Sequence, residues 1–372
     1  MKIAVFLTYN YSLQTWLESG TLQRELELYN KLNKDNNVEF TFFSYGNSGD
    51  KELLNDFPNL NIVTMRNNNK VKSKFYMFIM SLSFPIKYRD ELRNHDVIQQ
   101  HQLLGSWVAI LAKYIVKKPL FVRTGYDMYE FSILNKNSIF RKGFLWLLTK
   151  ITLSVSDLFT VTSMADKNFL KENFKFNLEK IKIRPNWIRN NNQRSILERK
   201  SDEILTVGRL DNQKNYQELI KIFQNNSKFK LKIIGEGCQE DHLKGLIKSN
   251  NLNVSIQNNL DNKKLIEEMN KYKYYISSSL FEGNPKTVLE AMSAGCIVIA
   301  SDIKNHNEII KDCENGILFD LLKFDFLEKL KSIESNSSIQ ENISKKAVET
   351  VITHNHIDVL AKKTYTDYKL LI

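Results

Sequence analysis

Short apolar runs alternate along this chain with longer stretches in which apolar residues recur at three- and four-residue spacing. KIAVFLTY (residues 2–9), VEFTFFSY (38–45), NIVTM (61–65), DVIQQ (96–100), PLFVRT (119–124) and LFTVTS (158–163) have the length and the β-branched and aromatic content of buried strands. Stretches such as LESGTLQRELELYNKL (17–32) separate them and carry the helical period. Strand and helix patterns alternating in this way predict an α/β protein with doubly wound, mostly parallel sheets and right-handed crossovers.

The alternation stops in a polar, asparagine-rich run at 189–202 and then resumes. A chain of 372 residues is too long for one ordinary core, so we expect two domains of similar size. These are residues 1–188 and 203–352, joined by a linker at 189–202, with a last helix (about 357–371) in a C-terminal segment 353–372. The second domain shows strand-to-turn-to-helix units at EILTVGRLDNQKNYQELIKIF (203–223), LKIIGEGC (231–238) and VSIQNNLDNKKLIEEM (254–269). Another begins at YYISSSLFEGNPKTVLEAMSAGCIVIA (274–300), followed by SDIKNHNEIIKDCENGILFD (301–320).

The 274–300 unit carries the most chemistry. Its pattern predicts a helix starting at Pro285 with Asn284 as N-cap, closing at Gly295, the residue best able to take a left-handed conformation. The N–H groups of Lys286, Thr287 and Val288 would then offer an anion site favoured by the helix dipole. Glu282 precedes that start and Glu290 lies more than a turn inside. Backbone amides for phosphate, with a carboxylate on either side for hydroxyls, match the chemistry of a nucleotide-sugar.

FEGNPKTVLEAMSAG (281–295) resembles the Glu-x7-Glu signature of the family 4 retaining glycosyltransferases with the GT-B fold. The resemblance implies two Rossmann-like domains facing across a cleft, the second holding the nucleotide-sugar, and a final helix crossing back to the first. Within it, Gly208, Arg209 and Lys214 match a G-R-L-x-x-x-K pattern whose cations hold the donor diphosphate. Gly235 and Gly237 match the G-x-G that lines the nucleotide. Asn259 and Leu260 fall where the base-contacting loop lies, and Gly283, Asn284 and Pro285 complete the donor corner. Glu282 would hold hydroxyls of the transferred sugar and Glu290 the ribose diol, which makes Glu282, Arg209 and Lys214 the catalytic candidates.

The first half matches less well. In open α/β sheets ligands bind outside the carboxyl ends of the strands, which makes His101, Arg123 and Asp127 the candidates there. Many family members have a histidine near 123–127; this chain has none there, so Arg123 or Asp127 would have to supply contacts to phosphate or sugar hydroxyl. The loop after the first strand has Asn10, Tyr11 and Ser12 in place of the family's frequent Gly-Gly pair.

Net charge is +11, and its distribution is uneven: residues 1–200 hold 30 Lys and Arg against 18 Asp and Glu, whereas residues 201–372 hold 23 against 24. Such an excess fits an anionic partner, whether a membrane surface, a lipid-linked diphosphate acceptor or nucleic acid, and also fits a Lys- and Asn-rich composition with no partner at all. No nucleic-acid motif accompanies the charge, so nucleic acid is not expected as a partner. Two stretches have a basic, aromatic, amphipathic character suited to an anionic lipid surface and equally to packing on a sheet: residues 67–93, led by Lys70, Lys72 and Lys74, and residues 140–155. Cys238, Cys296 and Cys313 lack metal-ligand spacing and an even count, so neither a disulfide framework nor a zinc site is expected. With no Asp-x-Asp metal motif, charge neutralisation by side-chain cations is expected and no cofactor or metal. No apolar run approaches the ~18 residues of a membrane span, and the N-terminus reads as a strand, so the expected location is cytoplasmic or peripheral at the inner membrane face.

The expected activity is transfer of a sugar, with retained configuration, from a nucleotide-sugar to a glycan or lipid-linked acceptor in cell-surface polysaccharide synthesis. UDP-sugar is favoured over GDP-sugar on family frequency alone. A nucleotide-sugar epimerase of the same fold and a non-catalytic membrane-surface protein are the alternatives. Glycoside hydrolysis also uses paired carboxylates, but it needs both across one bond, and Glu290 falls inside a helix beyond its phosphate-binding start.

Overall fold

The computed structural model describes residues 1–65, 74–176, 179–189, 193–225 and 228–372. The chain divides into two compact units, Met1–Pro185 with Leu360–Ile372, and Asn186–Val359. Lys70 and Lys72, in the first of the two basic stretches, lie outside the described residues.

The first unit is built on seven strands: β1 (Lys2–Phe6), β2 (Glu39–Ser44), β3 (Leu60–Thr64), β4 (Val97–His101), β5 (Leu120–Arg123), β6 (Leu158–Val161) and β7 (Ile181–Ile183). They pair in the order β3-β2-β1-β4-β5-β6-β7, all parallel. Parallel strands need crossovers that put helices on both faces, so the central strands are buried, β4 with the polar Gln99, Gln100 and His101 among them, while the edge strand β3 is only partly covered. The sequence 17–32, read as one helix, is interrupted: helices run from Leu13–Glu18 and Leu22–Asn36, with Gly20 between them at φ +67.

The final helix, Ile357–Lys369, carries residues 360–372 into this unit. Asp367, fully buried, accepts hydrogen bonds from Arg184 Nε and Nη2, each at 2.6 Å, and from Lys182 Nζ at 3.2 Å. The Tyr368 hydroxyl donates to Gln99 Oε1. A buried carboxylate is tolerable only when paired and hydrogen-bonded, and two cations at β7 and its exit satisfy Asp367.

The second unit has six strands: β8 (Lys200–Val207), β9 (Lys230–Ile234), β10 (Val254–Gln257), β11 (Tyr272–Ser277), β12 (Ile297–Ser301) and β13 (Ile317–Phe319). Their order is β10-β9-β8-β11-β12-β13, again all parallel. Ile204, Tyr274, Ile276, Ile297 and Ile299 pack one face of this sheet; Leu205, Tyr275, Val298 and Ala300 pack the other. Each isoleucine, leucine or valine among them contributes about 1.5–3 kcal/mol by leaving water. The strand order reverses at β8/β11, and that switch point is where a doubly wound sheet opens a crevice at its carboxyl end.

The polar run 189–202 differs from the linker expected of it. Ile196 joins the core of the second unit and β8 already begins at Lys200. The buried Arg199 guanidinium donates to the carbonyls of Arg194 at 2.7 Å and Ala294 at 2.8 Å. One isoleucine and one well-bonded arginine anchor a segment whose composition reads as solvated.

Candidate active site

The turns after β8 and β11 build the site. Gly208 follows β8, and its N–H donates to the Ile234 carbonyl at 3.0 Å. A Cβ on Gly208 would stand 2.8 Å from the Tyr216 hydroxyl and 3.0 Å from Lys214 Cε, so glycine here lets the Lys214 side chain lie across the turn. Asp211 then caps a short turn, Asn212–Lys214, by accepting from the Lys214 N–H. Asn215 takes a left-handed φ of +55 and the helix Tyr216–Ile222 begins.

Across the switch point, the turn after β11 presents Glu282 to this loop. Lys214 Nζ donates to Glu282 Oε1 at 2.6 Å, the Ser279 hydroxyl donates to the same oxygen at 2.6 Å, and Gln213 Nε2 lies 3.3 Å from Oε2. Gln213 also donates to the Phe281 carbonyl at 2.8 Å, fixing the two turns together. Burial opposes ionisation of Glu282, but the Lys214 charge and the Lys214 and Ser279 hydrogen bonds outweigh it and hold the carboxyl below its ordinary range. Behind it lies the buried His306, whose Nδ1 is 2.8 Å from the Ser301 carbonyl. Burial lowers its pKa against the opposing pull of Glu282, and Nδ1, facing a carbonyl oxygen, is the donor.

The helix after Glu282 is Lys286–Ser293, with Pro285 at the cap position, one residue later than expected. Asn284 does not cap it: its side-chain oxygen accepts from the Asn186 N–H at 2.8 Å, and its carbonyl accepts from Asn186 Nδ2 at 2.8 Å. The Gly283 carbonyl is held by Asn305 at 2.6 Å. The Val288 N–H, one of three expected to be open to phosphate, donates to the Pro285 carbonyl at 3.1 Å, because the first turn tightens there. Lys286 Nζ lies 4.8 Å above the Trp187 ring. Gly295 takes φ +77 as expected, letting the Cys296 N–H reach back to the Ala291 carbonyl at 3.0 Å.

Glu290 is buried on this helix and accepts from Asn262 Nδ2 at 2.8 Å. That bond ties it to the turn after β10, where the Asn259 N–H lies 3.2 Å from Glu236 Oε1 and Leu260 packs on the core. Gly235 and Gly237 have an intrachain reason to be glycine. A Cβ on Gly235 would meet the Gly208 carbonyl at 1.9 Å, and one on Gly237 the Leu210 carbonyl at 2.4 Å. Between the two acids, the buried Tyr275 hydroxyl donates to the Val207 carbonyl at 3.3 Å. Its pKa is well above the ordinary value, chiefly through burial, with Tyr216, Glu282 and Glu290 adding to it and a Thr287 hydrogen bond opposing it. Arg209 differs from Lys214: its side chain is 75% exposed, with Asp211 Oδ2 at 3.6 Å.

In the first unit the three candidates have other partners. His101 Nε2 and Arg123 Nη1 converge on Glu25 Oε2, at 3.5 and 3.7 Å. Burial works against the Arg123 charge, but Tyr29, Glu25 and Tyr368 raise its pKa overall. Arg123 is thereby held among buried side chains and does not stand ready at the strand end for phosphate. Asp127 caps the helix Met128–Leu134, accepting from the Glu130 N–H at 2.7 Å. Burial, with Asp166 and Glu130 nearby, pushes its pKa up to about 7. Glu25, Gln213, Asn262, Tyr275, Ser279 and His306 went unnoticed in the sequence. Only Gln213, beside Lys214, and Asn262, in the turn before a predicted helix, had a positional signal.

A carboxylate, a lysine and a glycine-built turn meet at the switch point of the second sheet, and residues 188–350 match the family "Glycosyl transferases group 1". The chain is a glycosyltransferase. This glycosyltransferase is 27% identical over 286 residues, 72% of its length and 77% of the relative's, to the N-acetylgalactosamine-N,N'-diacetylbacillosaminyl-diphospho-undecaprenol 4-alpha-N-acetylgalactosaminyltransferase of Campylobacter jejuni. It is 24% identical over 288 residues to the capsular polysaccharide biosynthesis glycosyltransferase CapH of Staphylococcus aureus, covering 73% of the chain and 76% of CapH. In fold it is similar to Anabaena HepE, solved in complex with UDP-glucose, with a TM-score of 0.74 over 100% of both chains at 14% identity. The glycosyltransferase thus has two Rossmann-like units of the GT-B class, and no helix among the described residues is long and apolar enough to cross a membrane.

Proposed function

We propose that this glycosyltransferase transfers a sugar from UDP, with retention of configuration, to a glycan or lipid-linked acceptor in cell-surface polysaccharide synthesis. The observation that carries the donor side is the bond between Lys214 Nζ and Glu282 Oε1 at 2.6 Å, which sets a cation and a carboxylate together outside the carboxyl ends of β8 and β11. The diphosphate leaving group gains charge as the glycosidic bond breaks, so a preplaced cation lowers the barrier more than it strengthens substrate binding. In this reading Lys214 and the exposed Arg209 neutralise that charge in place of a divalent ion. An entering diphosphate competes with Glu282 for the Lys214 ammonium and leaves the carboxylate to accept hydrogen bonds from sugar hydroxyls. Glu290, oriented by Asn262, receives the ribose diol, and the 259–260 turn borders the base.

The relatives' names support the acceptor class: one acts on a diphospho-undecaprenol substrate and the other serves capsular polysaccharide synthesis. HepE's UDP-glucose complex supports the choice of nucleotide. The test is a thermal-shift series with UDP, GDP and ADP, followed by UDP-sugars with and without a polyprenyl-diphosphate-linked glycan. Stabilisation by UDP alone, and an α-linked product from an α-linked donor only when acceptor is present, are expected. Preference for GDP overturns the donor assignment. Isomerised donor with no acceptor required establishes an epimerase.

A further inference from the structure

Three helices of the first unit, Lys74–Lys87, Ser106–Val116 and Ile139–Val155, form one layer, the middle one packing on both others. None contains Asp or Glu. The unit's other long helices do: Leu22–Asn36 and Ile357–Lys369 both carry acidic residues. The layer's inner side contributes Met77, Phe84, Val108, Ala112 and Leu153 to the core. Its outer side is where apolar side chains meet water. Of the 22 large apolar residues exposed among the described residues, 11 lie on these three helices.

The exposure is patterned. On Ile139–Val155, Phe140, Phe144, Leu147 and Ile151 recur four, three and four residues apart, which is one stripe along the helix. Phe140 is 90% exposed and its neighbour Ile139 85%, and Tyr114 on the adjoining helix is 63% exposed. A soluble surface rarely leaves so many large apolar groups contiguous unless something covers them. Arg141 and Lys150 flank the stripe on either side, with no carboxylate on the helix to neutralise them. A protein partner with an apolar patch would explain the stripe but not the uncompensated cations. An anionic bilayer surface explains both, because apolar and aromatic side chains enter the headgroup boundary while Lys and Arg meet lipid phosphates.

We infer that the outer face of this helical layer, centred on Phe140, Phe144, Leu147 and Ile151, docks on the surface of an anionic lipid bilayer. The inference does not rest on the sugar-transfer reading: it requires only the exposed stripe and its charge, and it assigns the first unit's basic excess to a particular face. Both basic stretches contribute to this face, since Tyr76, Phe78, Ile79 and Ile86 of the first are exposed as well as the stripe of the second.

The test is co-sedimentation of the full chain with vesicles of phosphatidylcholine alone and of equal parts phosphatidylcholine and phosphatidylglycerol. Binding to the anionic vesicles, weakened by added salt, is expected. The triple variant Phe140→Ser, Phe144→Ser, Leu147→Ser lowers the partition coefficient at least tenfold. The double variant Arg141→Gln, Lys150→Gln lowers it about 25-fold, at about fivefold per cation. These side chains are largely outside the core, so both variants keep the wild-type circular-dichroism melt and wild-type transfer to a water-soluble acceptor. Equal binding of wild type and the serine variant, or no binding to anionic vesicles, overturns the proposal. So does a dimer in sedimentation velocity that the serine variant dissolves, which would assign the stripe to a second copy of the chain. Failure of sugar transfer with vesicle binding intact would count against the proposed activity and leave the docking surface standing.

Discussion

Lys214 and Glu282, 68 residues apart, form a 2.6 Å ion pair in which their side chains are only 15% and 8% exposed. Removing one partner leaves a poorly solvated charge, whereas removing both does not. Lys214→Ala and Glu282→Ala are each expected to lower transfer about 10²–10³-fold, the usual cost of losing a group that stabilises transition-state charge. In urea unfolding, the double variant is expected to lose about 2 kcal/mol less than the sum of the singles. Wild-type turnover in either single variant would remove these residues from the mechanism.

The same pair gives the site an acid limit. Glu282's carboxyl is held below its ordinary value in the folded chain. Its stabilising contribution is therefore complete above the unfolded carboxylate pKa of about 4.3 and lost as pH falls through the lower folded value. Glu282→Gln removes that dependence, so the wild-type advantage in stability over this variant is expected to shrink as pH is lowered below that unfolded value. An advantage that grows on acidification would show that the carboxyl is not held ionised.

Gly235→Ala tests how the loops are assembled. Its Cβ would fall 1.9 Å from the Gly208 carbonyl, and backbone cannot yield there as a flexible side chain could. Overpacking of this kind costs about 1–3 kcal/mol, and here the strain acts on the turn that positions Lys214. The expected result is a lower melting temperature together with weaker UDP binding by calorimetry, while Gly245→Ala, inside the helix Glu240–Ser249 with nothing within 4 Å of its Cβ, raises the melting temperature slightly and leaves UDP binding unchanged. Unchanged UDP affinity in Gly235→Ala would separate the turn from the donor site.

What the sequence showed depended on range. The strands, the Gly295 helix exit and the Gly208 turn are local features, written in apolar period and in the backbone freedom of glycine. Partners remote in sequence were not legible. Glu25 drawing His101 and Arg123 together by charge, Asn186 diverting Asn284 from capping, and Asn262 holding Glu290 each join segments that only the fold brings together. Gly235 and Gly237 were noticed for a ligand, yet their closest neighbours are the backbone of residues 208–210. The linker was misplaced because Ile196 and Arg199 carry its burial almost alone in a polar run.

Asp127 offers the reverse pH dependence to Glu282. Burial first, then the neighbouring Asp166 and Glu130, raises its carboxyl to about 7, whereas in an unfolded chain it titrates near 3.9. Between those values the folded state binds the extra proton, so stability falls as pH rises from about 4 to about 7 and stays lowered above. Asparagine caps a helix as well as aspartate does and carries no charge to bury. Asp127→Asn is therefore expected to be more stable than wild type at pH 8 by at least about 1 kcal/mol, or about 2–4 °C in melting temperature. The gain should vanish below pH 4, where wild-type Asp127 is protonated in both states. A gain independent of pH would place its origin in packing, and a loss at pH 8 would mean that Asp127 holds its negative charge in the folded protein for a partner that asparagine cannot serve.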